Sequence, residues 1–442
     1  MLNTHEILER VKNEHINFIR LQFVDILGTV KNMEILAKDL ADVLENGIGF
    51  DGSSIEGFVR IMESDMIAMP DTKTFHVLPW TTGNNKTARI ICNIKTPEGK
   101  FFEGDPRHIL QKQIEEGKKI FGNDFSFEVG PELEFFLLVK NEKGKYVPQD
   151  SGGYFDFSPL DSAQDVRSEA ALALQAMELD FEKGHHEVAP GQHEIDFRFG
   201  SALKVADQAV TYKFVVKNIA MMHHMVATFM PKPFSGVNGS GMHCHQSIFA
   251  NGKNLFFDAN KKERGCLSDT AMHYIAGILA HAPALVAITN PTMNSYKRLV
   301  PGYEAPTYIC WGRKNRSAMI RIPNFYPGKE MATRIELRVP DPSCNPYLAF
   351  AAMLACGLDG IKNKMAAPAE AGNNIFEMTA EEKKKKGIKE VPGSLKDAIN
   401  ALKKDNVLKE ALGEHAFNKF IEAKEDECKE KDADDFERYL NV

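Results

Sequence analysis

Between His15 and Ile26, the apolar residues Ile16, Phe18, Leu21, Phe23 and Ile26 stand among polar neighbours. That near-alternation predicts a half-buried strand, a turn at Gly28 and a second strand through Val30 and Met33. Met1 to Asn13 is polar with helical spacing, and Ala88 to Ile94 predicts another strand closed by the turn Thr96-Pro97-Glu98-Gly99. Residues 1–100 therefore read as a small α+β unit. Asp105 before Pro106 is an N-cap with proline at the first helical position, opening an amphipathic helix to Phe121. Residues 105–442 read as a larger body: a strand from Phe127 to Val139, a helix around Asp165 to Lys183 and another around Asp207 to Met225. Interspersed strands and helices fit an α/β or α+β body. Ala271 to Ile288 is the most apolar stretch. A bilayer span needs about 20 clean apolar residues, and His273, His281 and Pro283 interrupt this one, so it reads as a buried helix broken at Pro283. Pro368 to Pro392 reads as an exposed, mobile excursion. The charged runs Glu381 to Lys386 and Glu422 to Asp435 read as solvated surface.

Composition narrows the class. The chain has 442 residues, 43% hydrophobic and 26% charged, which are globular values. Its net charge of −7 argues against nucleic acid as the main partner. The 7 cysteines are odd in number and contain no CxxC, so reduced thiols and a cytoplasmic setting are expected, without a targeting segment or membrane association.

Four short segments carry the chemistry. Glu132 and Glu134, two residues apart on a strand, share a face, while Leu133 and Phe135 share the other. Taken alone, the pair reads more readily as a polar strand edge than as metal ligands. Glu187 and Glu194 flank the Pro190-Gly191 turn. His243 and His245 share a face after the glycines of Asn238-Gly239-Ser240-Gly241. Arg334, Glu336 and Arg338 alternate with Ile335 and Leu337. Placing such charges on core strands is costly unless they meet charged partners. Five carboxylates with one or two imidazoles suit Mg²⁺ or Mn²⁺ better than zinc. Two such ions bring roughly +4 against about −5, a nearly neutral site that with nearby arginines suits phosphoryl transfer.

These segments closely resemble type I glutamine synthetase. The likeness runs from Phe18 to Lys424 through Asp51 to Phe58, Gly130 to Phe136, His185 to Asp196, Asn238 to His245, Asn294 to Pro306 and Arg334 to Asp341. The resemblance implies an N-terminal β-grasp domain and a catalytic domain on a curved antiparallel sheet. It also implies a homo-dodecamer of two stacked hexamers with active sites between neighbouring subunits. The implied reaction uses ATP to activate L-glutamate as γ-glutamyl phosphate, which ammonia then converts to glutamine. Carried over by motif, Glu134, Glu187 and Glu194 would hold one metal, and Glu132, His243 and Glu336 the second. Arg298, Arg316, Arg321 and Arg338 match positions that bind phosphate and the substrate carboxylate. Asn238 and Gly239 match the glutamate loop, and Glu182, Phe199, His245 and Ser247 match positions around ATP. For Phe199 the plainer reading is core packing. Asp51 matches the residue that binds ammonium and helps deprotonate it from the adjacent subunit. Glu304 matches the flap over the site. On their own residues, Asp51 reads as a turn residue before Gly52 and Glu304 as an exposed loop acid.

The chain resembles the short, alpha-type subgroup, lacking room for an insertion carried by longer members. At Asn373-Asn374-Ile375-Phe376-Glu377, Phe376 stands where those members carry a tyrosine that accepts AMP, and it has no hydroxyl to modify. Arg60 matches an arginine linked to inhibition by glutamine. Arg20 and Arg89 are anion contacts to consider for a 2-oxoglutarate effect, and regulatory proteins are further candidate partners. Two rival readings are a γ-glutamyl ligase for another amine and a non-catalytic homologue. The second sits poorly with six matched metal ligands.

Overall fold

The computed structural model describes residues 3–57, 65–313, 315–324, 328–372, 375–430 and 434–442. In the N-terminal part, Phe18–Val24 pairs antiparallel with Val30–Leu36 across the turn at Gly28, as the alternation predicts. The sheet runs Val30–Leu36, Phe18–Val24, Thr87–Lys95, Asp65–Pro70, Ile48–Asp51, so Asp51 ends an edge strand. Helices Thr4–Asn13 and Leu40–Asn46 bury Ile7, Val11, Leu40 and Val43 against Ile19, Leu21, Ile90 and Ile94.

The larger part is built on one large sheet. Its main path is Lys389–Glu390, Tyr308–Arg313, Ala318–Ile322, Ile335–Leu337, Met242–Ala250, Ser126–Lys140, Gln192–Phe197, Phe181–His186. Along that path the pairs are antiparallel, except for Tyr308–Arg313 with Ala318–Ile322. Leu133 and Phe135 join a core that includes helices Pro106–Phe121, Ala202–Met222, Asp269–Thr289 and Pro346–Lys362. Strand alternation then leaves Glu132 and Glu134 on the opposite face. The two parts are tied by a buried guanidinium. Arg107 bonds Asp71 at 2.8 Å and Asp207 at 2.9 Å. Asn345 also donates to the Asp25 carbonyl at 3.0 Å.

Four expectations change. Asp269–Thr289 runs unbroken through Pro283. Its neighbour Pro346–Lys362 lies so close that a Cβ on Gly277 would sit 2.1 Å from the Cys356 carbonyl, and one on Gly360 2.1 Å from that of His273. Packing this tight holds the helix through one missing hydrogen bond. The helix expected over Asp165–Lys183 is Gln164–Ala176. Glu178 at φ 61° ends it, and Phe181–His186 becomes a strand. Ala202–Met222 begins ahead of the expected Asp207. The 368–392 segment is not all excursion: Ala371 and Ile375 are buried with Tyr308, Cys310 and Ala318, and Lys389–Glu390 pairs with Tyr308–Arg313. All seven cysteines are free thiols.

His281 clamps three elements of this core. Its ring nitrogens lie 2.7 Å from Asp405 and 3.0 Å from Asp359. Burial alone would lower its pKa, but the two carboxylates outweigh burial and raise it. A raised histidine contributes stability that is full below its ordinary pKa and lost as pH rises through the raised value. The stability gap between wild type and His281→Asn should therefore narrow as pH climbs from 6 to 9, read by chemical denaturation. A gap that widened would contradict the clamp.

Candidate active site

Glu134 and Glu194 are register partners on adjacent strands, and Glu187 follows the strand that carries His185 opposite Glu194. The Pro-Gly turn thus brings Glu187 and Glu194 beside Glu134. Glu134 accepts from Gln192 and from the Gly241 backbone, each at 2.9 Å. Those donors are neutral. Burial, then the neighbouring acids, raises Glu187 to about 8 and Glu194 well above the usual carboxylate range. Glu134 is raised chiefly by burial. Two buried carboxylates and a half-buried one placed together, with the His185 imidazole beside Glu187 and Glu194, fit a hard divalent cation.

The second set spans the next strands. His243 is the register partner of Glu132 and lies 3.3 Å from it and 4.0 Å from Glu336. His245 lies 3.0 Å from Glu132. Burial alone would raise Glu132, but hydrogen bonds to His243 and His245 hold it well below the ordinary range. Glu336, almost fully buried, receives Arg338 at 2.6 Å and also Arg321. Glu132, His243 and Glu336 present ligand atoms close enough to share one ion. His185, Glu194 and Asp196 form another such group, and Asp150, His186 and His193 a third.

Beside these ligands a cavity of about 570 Å³ is lined by Glu182, Phe199, His245 and Ser247, the four expected nucleotide positions, together with Glu132, Lys183 and Arg334. Phe199 is 60% exposed, which excludes the core-packing reading. Gly130 lies under it, where a Cβ would be 3.1 Å from that of Phe199. Next to the first carboxylate set, buried Arg298 donates to the Val339 carbonyl at 2.8 Å. A Cβ on Gly241 would stand 2.6 Å from its guanidinium, so the glycine admits the arginine. Gly239 accepts from Gln192 at 3.2 Å, and a Cβ there would strike the Pro231 carbonyl at 2.2 Å. Asn238 precedes it in the same partly buried loop, and Arg316 is exposed. Glu304 is exposed on a turn with φ 59°, and its charge reaches Glu187.

Family models match both parts of the chain. The model for the glutamine synthetase β-grasp domain matches residues 15–97, and that for the glutamine synthetase catalytic domain matches 103–439. The chain belongs to the glutamine synthetase family. It is 53% identical over 432 residues to the glutamine synthetase of Methanocaldococcus jannaschii, covering 96% of this chain and 94% of the relative. To that of Thermotoga maritima it is 54% identical over 430 residues, covering 97% and 96%. Among solved structures it is similar to a GmaS/ADP complex, at 31% identity and TM-score 0.86 over 98% of this chain and 99% of that one. It is also similar to Plasmodium falciparum glutamine synthetase, at 27% identity and TM-score 0.87 over 99% of each.

Other family positions lie apart. Asp51 is exposed on the N-terminal sheet, opposite Asp65, and accepts from the Ser53 backbone at 2.8 Å. No His/carboxylate group found among the described residues includes it. Arg20 pairs with Glu34 at 3.2 Å on the surface. Arg89 faces inward, donating to Thr211 at 2.7 Å, and burial lowers its pKa to about 10. Its Nε and Nη1 are buried with no hydrogen-bond partner among the described residues. Arg60, Asn373 and Asn374 lie outside the described residues. Arg334, which the alternation sets beside Glu336, donates to His245 at 3.2 Å, and Glu128, not singled out from the sequence, lines the same cavity. Glu128 continues the alternation of Glu132 and Glu134, so its signal was present.

Proposed function

We propose that the carboxylate face of the large sheet activates L-glutamate with ATP, and that ammonia completes the reaction to glutamine. The activity is that of a glutamate–ammonia ligase, as the family and its curated relatives support. The reading rests on one juxtaposition: Glu134, Glu187 and Glu194 on the sheet face that also carries Glu132, His243 and Glu336, with Glu132 lining the cavity that Phe199 borders. When bound there, two divalent ions, Mg²⁺ or Mn²⁺, neutralise ATP phosphates and favour phosphoryl transfer.

The chain's own residues do the rest. Phe199 offers an aromatic face to the adenine, with Glu182, His245 and Ser247 around the nucleotide. The Arg338 Nε is buried with no hydrogen-bond partner among the described residues, a donor suited to an incoming anion. Arg316 and Arg321 serve the transferred phosphoryl group, and Arg298, Asn238 and Gly239 the glutamate. The γ-carboxylate oxygen attacks the γ-phosphorus and ADP departs. Ammonium has no free lone pair, so Asp51 takes its proton. Ammonia adds to the acyl carbon, the bond from that carbon to the phosphate oxygen breaks, and the surplus proton leaves with the phosphate as hydrogen phosphate. Glu304, on the flap, helps exclude water that would hydrolyse the intermediate. We place Asp51 in the site of a neighbouring subunit within a dodecamer of two hexamers. We further propose a cytoplasmic enzyme, with glutamine or 2-oxoglutarate as effectors.

Glutamine formation from glutamate, ATP and ammonium, with a divalent ion, tests the activity. Phosphate release driven equally well by methylamine would point to the other-amine ligase instead. Phe199→Ala should raise KM for ATP roughly tenfold, in line with stacking worth about 1–3 kcal/mol. Its unfolding should be unchanged, because the ring is exposed. An unaltered KM would remove Phe199 from the nucleotide site.

A further inference from the structure

Behind the carboxylate bank, on the other side of the hairpin, lies a buried polar cluster that the reaction above does not use. Asp150 is its centre. One carboxylate oxygen accepts from His186 Nε2 at 3.0 Å, from the Gly191 backbone at 2.9 Å and from the Gly152 backbone at 3.2 Å. The other accepts from the Ser162 backbone at 3.2 Å and from Gln149 at 2.6 Å. His186 is fully buried, and its other ring nitrogen lies 2.6 Å from the carbonyl of Glu187. Asp150 and His186 therefore grip the turn at both ends, directly at Gly191 and through the imidazole at Glu187. Gly152 lies against that ring: a Cβ there would sit 2.8 Å from His186 Nε2. The same carboxylate closes the base of the loop from Gly152 to Ser162. That loop reaches back over the bank. Phe155 donates to the His186 carbonyl at 3.1 Å, and its ring meets His185 edge-on at 4.7 Å. His185 in turn lies 3.4 Å from Glu187 and 3.6 Å from Glu194.

We propose that Asp150 and His186 are positioning residues for the first metal site, setting where Glu187 stands relative to Glu134 and Glu194. Groups that orient a metal ligand from behind commonly govern affinity by about 10–100-fold. The inference rests on the metal reading of Glu187. Asp150 suits the task because both its oxygens accept from N–H groups. An amide in either orientation would turn a donor toward a donor, so Asp150→Asn breaks the grip while keeping shape. His186→Phe keeps the ring's packing and removes both hydrogen bonds, and serves if Asp150→Asn does not fold.

The test is Mn²⁺ binding to the whole protein without substrates, followed by electron paramagnetic resonance of the free ion. Thermal unfolding and kcat at varied Mn²⁺ are measured alongside. One class of Mn²⁺ should weaken about 10–100-fold in either variant. The double variant should lose little more than each single one, because the pair acts as a unit. KM for Mn²⁺ should rise while kcat recovers at saturation. A wild-type isotherm with only a lowered unfolding midpoint would overturn the proposal, leaving a structural brace. Equal weakening of all Mn²⁺ classes would overturn it too. Glu187→Gln separates the two layers. If it weakens Mn²⁺ and Asp150→Asn does not, the positioning role alone fails. If Glu187→Gln leaves binding intact, the metal assignment falls and the positioning role with it.

Discussion

Glu336→Gln should lower kcat/KM at least 10–100-fold, the usual cost of disturbing a metal site. The residue is 1% exposed and does two things at once. It stands with Glu132 and His243 as a ligand group, and it is the counter-ion of Arg321 and Arg338. Glu336→Ala would leave two guanidinium groups without that partner, a change that can cost about 3–5 kcal/mol of stability. It would confuse unfolding with lost chemistry. Gln keeps the volume and one acceptor oxygen while removing the charge. Steady-state kinetics at saturating ATP and Mg²⁺, with thermal unfolding alongside, make the measurement. Near-normal turnover would take Glu336 out of the metal site. A collapse of the fold that matched the loss of rate would make it a structural counter-ion only.

Asp51→Asn should slow glutamine formation by roughly 10²–10⁴-fold, the range for losing a general base, with ATP and glutamate binding kept. The amide can still accept from the Ser53 backbone, so the turn survives. It cannot take a proton from ammonium. Unchanged kcat with ammonium would leave Asp51 as the turn residue it also is. The same residue tests the shared site. An Asp51→Ala chain and an Arg338→Ala chain, each nearly inactive alone, should form mixed rings when co-expressed. If Asp51 and Arg338 of one site come from different subunits, one interface in four pairs an intact Asp51 with an intact Arg338. Activity then recovers to about a quarter of wild type, given random mixing and independent sites. Recovery at background in mass-verified mixed rings would place both residues in one chain.

Local pattern carried much of this protein. Two-residue alternation put Glu132 and Glu134 opposite Leu133 and Phe135, and Glu336 with its arginines opposite Ile335 and Leu337, where the structure keeps them. The N-cap Asp105 with Pro106, and the turn at Gly28, were legible for the same reason: they depend on neighbours only a few positions away. Tertiary structure decided which strands lie side by side. Glu132 meets His243, 111 positions away, because the apolar faces of their strands pack into one core. No local period encodes that choice of partner. The exposure of Phe199 and the inward turn of Arg89 were likewise set by what surrounds them. Pro283 stays helical because glycines at 277 and 360 let two helices touch, outweighing a local breaker. Asp150 gave no signal in the sequence, since beyond its neighbours Gln149 and Gly152 its partners Ser162, His186 and Gly191 arrive only when loop, strand and turn are folded against one another.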